Sequence, residues 1–298
     1  MRRSEKLGML TGLIVGTILL LISFLMGVKP VCKVWGSQTA YTASEAEKKG
    51  VENSFRYKDG KLIVNSNKSG RSIARVIKPS NTTAQGIDVS YRQGDIDWAK
   101  VKNSGQVDFA IIRCGFGMNE IKQDDSKWKY NSSECERLGI PYGVYLYSYA
   151  DTVAKAKSEA NHVIRLIKGK KLSYPIYYDM EENQMEKKTV LNSTNMTRTK
   201  AAQIAQAFFS TLEAAGYKNL GIYSNASRFD SKLADGKLTA SIFNQYPKWV
   251  ASYNDTCKYQ GNYHMWQYSN VGTIDGISEN VDLNFKIGNW TKAGFTPK

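Results

Sequence analysis

The chain has 298 residues, of which 42% are hydrophobic and 11% aromatic, and it carries 41 lysines and arginines against 27 aspartates and glutamates. This length and hydrophobic content are sufficient for one large domain with a buried core, and they argue against a disordered chain. The formal charge of +14 indicates a polyanionic partner, either nucleic acid or an anionic cell envelope.

The first predicted element is a membrane-spanning helix at residues 7 to 28. These 22 residues contain no charged side chain, and a helix of that length rises about 33 Å, slightly more than the roughly 30 Å hydrocarbon core of a bilayer. The segment is longer than the apolar region of a cleavable signal peptide, about 7–15 residues, and has no A-x-A site. Positive charge before it, at Arg2, Arg3 and Lys6, keeps the short tail in the cytoplasm. We therefore predict a single-pass cell-membrane anchor at residues 1–36 with the rest outside; a secreted protein is the alternative.

The charge of the remaining chain bears on its partners. Residues 37–298 keep 36 basic and 26 acidic residues, so the basicity does not come from the anchor alone. Outside the membrane nucleic acid is not an expected partner, whereas peptidoglycan carboxylates and anionic wall polymers are. General solubility explains the charge equally well.

Residues 37–85 are predicted to form a polar extracytoplasmic stalk. Within it, Asp59-Gly60 lies between two apolar runs, which is typical of a β-hairpin, so a small β element is expected to interrupt the stalk. No internal repeat of fixed period is visible, which argues against a solenoid or an array of wall-binding modules.

After residue 85 short apolar runs alternate with amphipathic or charged stretches, the pattern of a parallel β/α domain. The predicted strands are Gly86–Val89, Val107–Cys114, Tyr142–Tyr149, Tyr174–Glu181, Leu220–Ser224, Lys248–Tyr253, Met265–Tyr268 and a last one near Val281. Seven or eight strands in about 205 residues favour a closed or nearly closed TIM-like (β/α) barrel, an α/β fold, over an open sheet. The barrel domain is assigned to residues 86–298.

Two helices of the barrel wall are clear in the sequence. Apolar residues recur at three- and four-residue steps over Thr152–Ile167 and over about Thr197–Ala215. Asp151 is the predicted N-cap of the first helix, and Gly216 is predicted to end the second.

Few residues are available for metal or redox chemistry. The two histidines, His162 and His264, are far apart in sequence, which excludes a histidine-rich metal centre. The four cysteines show no C-x-x-C spacing, and three of them, an odd number, fall in the barrel domain. No G-x-G-x-x-G or P-loop motif indicates a nucleotide. The sequence therefore predicts no metal and no cofactor.

Four acidic residues stand at predicted strand ends, where active sites of such barrels lie. They are Asp88, Asp179, Glu181 and Asp282. Side chains alternate along a strand, so Asp179 and Glu181 point to the same side, roughly 6.6 Å apart along the backbone. Carboxyls this close cannot all ionise freely, so at least one pKa should rise and hold a proton near neutral pH, as a general acid requires. Helix capping or a salt bridge is the alternative for an isolated D-x-E.

Aromatic side chains near the same strand ends predict a surface that stacks on sugar rings. Tyr145, Tyr147 and Tyr149 share one face of their strand, and Trp249 and Tyr253 share one face of another. Ordinary barrel packing is the alternative for these side chains.

Six segments, in this order, resemble the motifs of the family 25 muramidases, which are glycoside hydrolases. They are Gly86-Ile87-Asp88-Val89-Ser90, Tyr178-Asp179-Met180-Glu181, Gly221-Ile222-Tyr223-Ser224, Trp249-Val250-Ala251-Ser252-Tyr253, Trp266-Gln267-Tyr268 and Val281-Asp282-Leu283-Asn284. The resemblance covers about residues 86–285 and does not extend to residues 1–85. It implies an irregular barrel whose acidic groove hydrolyses the β-1,4 bond from N-acetylmuramic acid to N-acetylglucosamine in peptidoglycan.

The resemblance also implies roles for the acids. Glu181 is the implied proton donor, and Asp179 is its partner, which orients the 2-acetamido group of the substrate or acts on the sugar directly. Asp88 and Asp282 are implied to line the groove and tune its charge. The predicted substrate-binding residues are Tyr147, Tyr149, Tyr178, Tyr223, Trp249, Tyr253, Trp266 and Gln267.

The spacing of the acids bears on mechanism. Carboxyls on neighbouring positions of one strand approach a sugar from similar directions, whereas those of two-carboxylate glycosidases flank the bond. We therefore hypothesise substrate assistance, in which the acetamido oxygen attacks the anomeric carbon and the configuration is retained.

Two other functions fit the same residues. A catalytically silent glycan-binding module would use the same aromatics, although the presence of Asp179 and Glu181 argues against it. A chitinase-like acetamido-sugar hydrolase would prefer chitin oligomers to peptidoglycan. Cys114 stands where members of the resembling family commonly carry a small residue, and it is expected to be a buried thiol.

Overall fold

The computed structural model describes residues 56–58, 61–63, 75–181, 196–230 and 236–288. Three short strands come first: β1 (Arg56–Lys58), β2 (Lys61–Ile63) and β3 (Arg75–Val76). β1 and β2 pair antiparallel on either side of residues 59 and 60, as the hairpin pattern predicts, and β3 pairs with β2. Val76 is buried in the main core, so β3 connects this small sheet to the barrel.

Eight strands close a barrel, which confirms the predicted architecture. They are β4 (Thr82–Val89), β5 (Phe109–Phe116), β6 (Tyr142–Tyr147), β7 (Ile176–Asp179), β8 (Leu220–Asn225), β9 (Lys248–Ala251), β10 (Met265–Gly272) and β11 (Val281–Ile287). β4 and β10 are each four residues longer than predicted, because β4 begins at Thr82 and β10 continues to Gly272.

The barrel is mixed, whereas the sequence pattern predicted parallel strands throughout. Strands β4 to β10 run parallel to one another, but β11 is antiparallel to both of its neighbours, β10 and β4. Only residues 273–280 join β10 to β11, and a parallel crossover needs a dozen residues or more. The start of β11 therefore lies at the same end of the barrel as the carboxyl ends of the other strands.

Helices surround the barrel. They are α1 (Trp98–Asn103), α2 (Trp128–Leu138), α3 (Val153–Ile167), α4 (Arg198–Ala214) and α5 (Ala226–Phe229). α3 and α4 confirm the two predicted helices, and Gly216, at a φ of 93°, follows the end of α4 as predicted.

The N-cap predicted for α3 is wrong by one residue. The backbone at Thr152 is extended, and its hydroxyl accepts a hydrogen bond from the backbone N–H of Lys155. Asp151 instead forms an ion pair with the Lys155 side chain at 2.8 Å. The cap therefore belongs to the residue whose backbone precedes the first helical turn.

Side chains alternate between the inside and the outside of the barrel. On β5, Phe109 and Ile111 face inward, whereas Ala110 and Ile112 pack outward with the residues of the main core. The buried inward cluster consists of Phe109, Ile111, Tyr177, Tyr223, Trp249, Ala251 and Met265. This cluster fills the barrel and supports the side chains at the carboxyl ends of the strands.

The described residues contain no helix long and apolar enough to cross a membrane. The anchor predicted at residues 7 to 28 lies outside the described residues, as does most of the predicted stalk.

Candidate active site

A cavity of about 740 Å³ opens at the end of the barrel where the parallel strands finish. Its volume lies within the range of ligand sites, about 300–1,000 Å³. Tyr223 and Trp249 of the inward cluster form part of its lining. All four predicted acids line this one cavity: Asp88, Asp179, Glu181 and Asp282.

One side of the cavity is lined by Asp88, Gln267 and Asp282, and the fully buried Asn284 is hydrogen-bonded to Asp88. We call these four residues the β4–β11 wall. The antiparallel register of β11 sets Asp282 opposite Asp88. Asp88 Oδ2 accepts a hydrogen bond from Gln267 Nε2 at 2.9 Å and another from Asn284 Nδ2 at 2.7 Å. The Asp88 carboxyl is therefore fixed by two side-chain amides.

Those amides are themselves oriented by aromatic donors. Asn284 Oδ1 accepts from Trp249 Nε1 at 2.7 Å. Gln267 Oε1 accepts from the hydroxyls of Tyr223 and Tyr253 at 2.8 and 2.7 Å. Each amide thus donates to Asp88 and accepts from an aromatic ring, so the network is continuous from one strand to the next.

The two carboxyls of this wall influence each other's pKa. Burial raises the pKa of Asp88 to about 6, although hydrogen bonds from Asn284, Gln267 and Asp282 act to lower it. Burial and the neighbouring Asp88 raise the pKa of Asp282 well above its usual range. Their mutual hydrogen bond lowers the pKa of Asp88 and raises that of Asp282, so Asp282 is the carboxyl of the pair that favours its protonated form.

The adjoining side, which we call the β5–β7 wall, consists of Arg113, Asp179 and Glu181. Asp179 ends β7 and is 3% exposed, and Glu181, two residues further on, is half-buried in the same cavity. Burial and the charges of Glu181 and Asp88 raise the pKa of Asp179 well above its usual range, while Arg113 lowers it. The direction of this pKa shift is the one expected for a carboxyl of the D-x-E pair.

Asp179 differs from Asp88 in its hydrogen bonds. Its Oδ1 is buried and has no hydrogen-bond partner among the described residues. A buried acceptor of this kind is uncommon, because most buried polar atoms in native proteins have a partner. Asp179 is therefore placed to accept a hydrogen bond from a molecule bound in the cavity.

Arg113 is held at one edge only. Its Nε donates to Asp125 Oδ2 at 2.8 Å, and Asp125 is fixed in turn by the backbone N–H groups of Tyr91 and Lys127. The Tyr91 ring lies 4.9 Å from the guanidinium carbon. Arg113 is 8% exposed and lines the cavity, and its Nη2 has no hydrogen-bond partner in the described part of the chain.

Five of the eight predicted substrate-binding residues line the cavity. They are Tyr147, Tyr223, Trp249, Tyr253 and Gln267. Tyr149 lies beyond the end of β6 with its ring 5.5 Å from that of Tyr147, and it is not part of the cavity lining.

The structure places Tyr178 and Trp266 outside the cavity, contrary to the prediction. Tyr178 stacks on Phe208 of α4 at 3.8 Å and donates to Glu159 at 2.6 Å. Trp266 is fully buried, and its Nε1 donates to the Ser252 carbonyl. Both residues adjoin an inward-facing neighbour, so strand alternation points them outward.

Eight residues of the cavity lining were not among the predicted catalytic or substrate-binding residues: Ser90, Arg92, Gln93, Arg113, Tyr145, Asn270, Glu279 and Asn280. Alternation could have identified Arg113 and Tyr145, because Arg113 follows the inward-facing Ile111 by two residues and Tyr145 precedes Tyr147 by two.

No group of three or more His, Cys, Asp or Glu side chains within the described ranges is arranged to hold a metal ion. Cys114 is a buried free thiol, as expected, and Cys135 and Cys257 are also buried and free. Burial raises the pKa of the Cys114 thiol far above its usual range, which makes it unreactive.

An acidic, aromatic-lined cavity at the carboxyl ends of barrel strands is the arrangement expected of an enzyme that cleaves sugars. The family model described as "Glycosyl hydrolases family 25" matches residues 87–277, more than half of the chain. The chain therefore belongs to glycosyl hydrolase family 25.

Similar proteins agree with this assignment. YegX of Escherichia coli O157:H7 is 29% identical over 216 residues, 69% of this chain and 70% of YegX. Lysozyme M1 of Streptomyces globisporus is 27% identical over 218 residues, 70% of each chain. The family and the match to Lysozyme M1 confirm the prediction of a glycoside hydrolase of the lysozyme type.

Solved structures share the fold. The modular autolysin LytC from Streptococcus pneumoniae has a TM-score of 0.61 and 28% identity, over 77% of this chain and 57% of LytC. A second LytC structure, in complex with a synthetic peptidoglycan ligand, has a TM-score of 0.61 and 27% identity, over 76% of this chain and 57% of LytC. The chain thus spans a little over half the length of LytC.

Proposed function

We propose that the protein hydrolyses the β-1,4 bond between N-acetylmuramic acid and N-acetylglucosamine in peptidoglycan, with retention of configuration through the acetamido group of the substrate. One observation carries this proposal: Asp179 and Glu181 leave the same strand end into one cavity, and Asp179 Oδ1 has no hydrogen-bond partner in the described part of the chain. Similarity to Lysozyme M1, and to LytC with its peptidoglycan ligand, supports peptidoglycan as the substrate.

The role of Asp179 follows from its missing partner. A buried carboxyl with a raised pKa is one whose charged form lacks support from its surroundings. An acetamido N–H that donates to Oδ1 supplies part of that support. The positive charge that develops on the acetamido group as its oxygen attacks supplies more, so the interaction strengthens in the transition state, as catalysis requires.

Glu181 completes the first chemical step. The acetamido carbonyl oxygen bonds to the anomeric carbon, the bond to the leaving sugar oxygen breaks, and Glu181 gives its proton to that oxygen. In the second step a water molecule attacks the anomeric carbon, Glu181 takes a proton from the water, and the acetamide is restored. Two inversions at one carbon give net retention.

The β4–β11 wall supports the assignment because its carboxyl is a poor candidate for an enzyme nucleophile. Asp88 Oδ2 accepts hydrogen bonds from Gln267 and Asn284, and the Asp88 carboxyl also forms a hydrogen bond with Asp282. A carboxyl held by several hydrogen bonds is a weakened nucleophile, since attack on a sugar would disrupt them. This wall is better suited to fixing the charge of the cavity than to bond formation.

Product analysis tests the proposal. The full-length chain, purified in mild detergent, is incubated with peptidoglycan, and the fragments are analysed by mass spectrometry and by NMR at the first turnover. We expect reducing-end N-acetylmuramic acid with the β-anomer formed first, and no release by Glu181→Gln. Reducing-end N-acetylglucosamine would contradict the bond specificity, and the α-anomer would contradict retention.

The same assay separates the alternatives. Faster cleavage of chitin oligomers than of peptidoglycan would favour the chitinase-like activity. Binding of peptidoglycan with no release by the natural sequence would favour a binding module.

We also propose that residues 7 to 28 anchor the enzyme in the cell membrane with the barrel outside. The 22 uncharged residues after Arg2, Arg3 and Lys6 support this location. Alkaline carbonate washing of membranes is the test: an anchored chain stays in the membrane pellet, whereas release into the supernatant would contradict the anchor.

A further inference from the structure

The proposed chemistry does not use Arg113, whose guanidinium has one edge without a hydrogen-bond partner among the described residues. Its guanidinium carries five N–H donors in a fixed plane. Asp125 occupies the Nε edge, while Nη2 is buried and without a partner among the described residues. Buried donors in native proteins are nearly always paired, so this edge indicates an acceptor oxygen supplied by a bound molecule.

The position of Arg113 is fixed before any ligand binds. Asp125 is fully buried and is held by two backbone N–H groups, those of Tyr91 at 3.0 Å and Lys127 at 2.9 Å. The rings of Tyr91 and Phe116 lie within 5.5 Å of the guanidinium carbon. A pre-positioned guanidinium loses little conformational entropy on binding, which makes it effective in recognition.

The location of Arg113 relative to Asp179 indicates which part of the sugar it meets. Both residues belong to the β5–β7 wall, with β6 as the one strand between them. If Asp179 contacts the acetamido group on C2 of the sugar, a donor further along the same wall faces a substituent on an adjacent ring carbon. On muramic acid C3 carries a lactyl ether that ends in a carboxylate or an amide carbonyl, whereas on N-acetylglucosamine C3 carries only a hydroxyl.

We infer that Arg113 is a specificity residue whose Nη2 donates to the lactyl carboxylate or carbonyl oxygen of a muramic acid residue, so that the cavity selects muramyl glycans over chitin. This inference rests on the proposed function, because it assumes that Asp179 meets the acetamido group. Arg113 adds selectivity to that chemistry and takes no part in bond breaking.

Binding experiments on an inactive parent test this inference. Full-length Glu181→Gln is titrated with three ligands of equal sugar number. The first is glycan strands stripped of peptide, which carry lactyl carboxylates, and the second is the same strands with peptide stems, which carry lactyl amides. The third is chitin oligomers. Arg113→Met in this parent should weaken binding of both lactyl-bearing ligands by about 10- to 100-fold, as loss of a hydrogen bond to a charged donor predicts. Its affinity for chitin oligomers should stay at the parent value, and a larger loss with the carboxylate than with the amide would identify the charged form as preferred.

Control variants separate recognition from folding and from charge. Arg113→Met leaves the buried Asp125 without its cation, so the double variant Arg113→Met/Asp125→Asn is measured beside it, with thermal unfolding as the check on folding. Arg137→Met removes the same charge from the exposed face of α2, where Arg137 forms an ion pair with Glu134. Arg137→Met should bind all three ligands like the parent.

Two outcomes would overturn the inference, and they differ from each other. An equal loss of affinity for all three ligands in the double variant would mean that Arg113 contacts a group common to both sugars or acts through Asp179. Failure of the Glu181→Gln parent to bind any of the three ligands would remove the proposed function as well.

Discussion

The two walls of the cavity differ in how completely their buried polar groups are paired. On the β4–β11 wall, Asp88 is held by two amides and by a hydrogen bond with Asp282, and each amide is held by an aromatic donor. On the β5–β7 wall, Asp179 Oδ1 and Arg113 Nη2 are buried without partners among the described residues. The hydrogen bonds of the β4–β11 wall are therefore complete in the free protein, whereas those of the β5–β7 wall would be completed by a bound substrate.

This contrast explains why similar carboxyls have different tasks. A fully paired network is rigid and resists rearrangement, which suits a scaffold. Unpaired buried groups cost free energy in the free protein, and that cost is relieved when a ligand supplies the missing partner. Replacing residues on each wall should therefore give opposite results for activity and stability.

The largest effect is expected from Glu181→Gln on the β5–β7 wall. Loss of the proton donor should lower kcat on peptidoglycan by about 100- to 10,000-fold, the range that general acid–base catalysis contributes. The free energy of unfolding should stay within about 0.5 kcal/mol, because Glu181 is only half-buried. Steady-state release of muramyl ends and urea unfolding measure the two quantities.

Glu134→Gln on α2, a half-buried glutamate outside the cavity lining, is the matched control for this variant. It should leave both kcat and stability near the values of the natural sequence. If Glu181→Gln kept more than a tenth of the natural kcat, another carboxyl would have to be the proton donor.

Asn284→Ala tests the β4–β11 wall and should act mainly on stability. It removes the acceptor of Trp249 Nε1 and one donor to Asp88, and both groups are buried. We expect a loss of about 2–4 kcal/mol in the free energy of unfolding, since each unpaired buried group costs about 1–3 kcal/mol. Urea unfolding measures this loss, and Asn103→Ala at the exposed end of α1 is the control.

A loss below about 1 kcal/mol for Asn284→Ala would remove the distinction between the walls. It would mean that the Asp88 network rearranges at little cost in free energy. The unpaired groups on the β5–β7 wall would then not set that wall apart from the β4–β11 wall.

Strand alternation determined how much of this arrangement the sequence could predict. Asp179 and Glu181 were assigned to one side because they are two residues apart, and the structure places both in the cavity. The same rule places Tyr178 and Asp179 on opposite sides of the strand, yet Tyr178 was predicted to bind substrate because it belongs to the same motif. A single sequence motif can contain residues whose side chains lie on opposite faces of a strand.

Other features depend on contacts that a sequence does not specify. The pairing of Arg113 with Asp125 depends on the loop after β5, and the register of Asp282 with Asp88 depends on an antiparallel β11. The unpaired edge of Arg113 is visible only when all of its neighbours are placed. Fold class and acidic residues were therefore predictable, whereas the division of the cavity into two walls was not.

The buried acids predict a fall in stability as pH rises. Burial raises the folded-state pKa of Asp88 to about 6 and that of Glu159 to about 7, against ordinary values of 3.8 and 4.5. Between these values the folded chain keeps protons that the unfolded chain has released, so the free energy of unfolding falls as pH rises from about 4 to about 7. Glu159, whose raised pKa is not tied to a second acid, should contribute about 3 kcal/mol to this fall.

Asp179→Asn sharpens this prediction by removing one such acid from the β5–β7 wall. The pKa of Asp179 is also raised, so the amide should increase the free energy of unfolding at pH 7.5 and flatten its slope between pH 5 and pH 7.5. Asp88→Asn should give a smaller increase, because the Asp88 carboxylate accepts hydrogen bonds that an amide fits less well. Urea unfolding at the two pH values measures all three proteins, and equal increases would contradict the contrast.

The smallest effect is expected from a pair of hydroxyl deletions on opposite faces of the barrel. Tyr178→Phe removes a hydrogen bond to Glu159 outside the cavity, and Tyr223→Phe removes one to Gln267 inside it. Each should lower the free energy of unfolding by about 1–2 kcal/mol. Only Tyr223→Phe should also raise KM for peptidoglycan, because only Tyr223 lines the cavity. The opposite result would be a raised KM for Tyr178→Phe and an unchanged KM for Tyr223→Phe. It would mean that substrate binding depends on the outer face of β7, which the alternation of Tyr178 and Asp179 argues against.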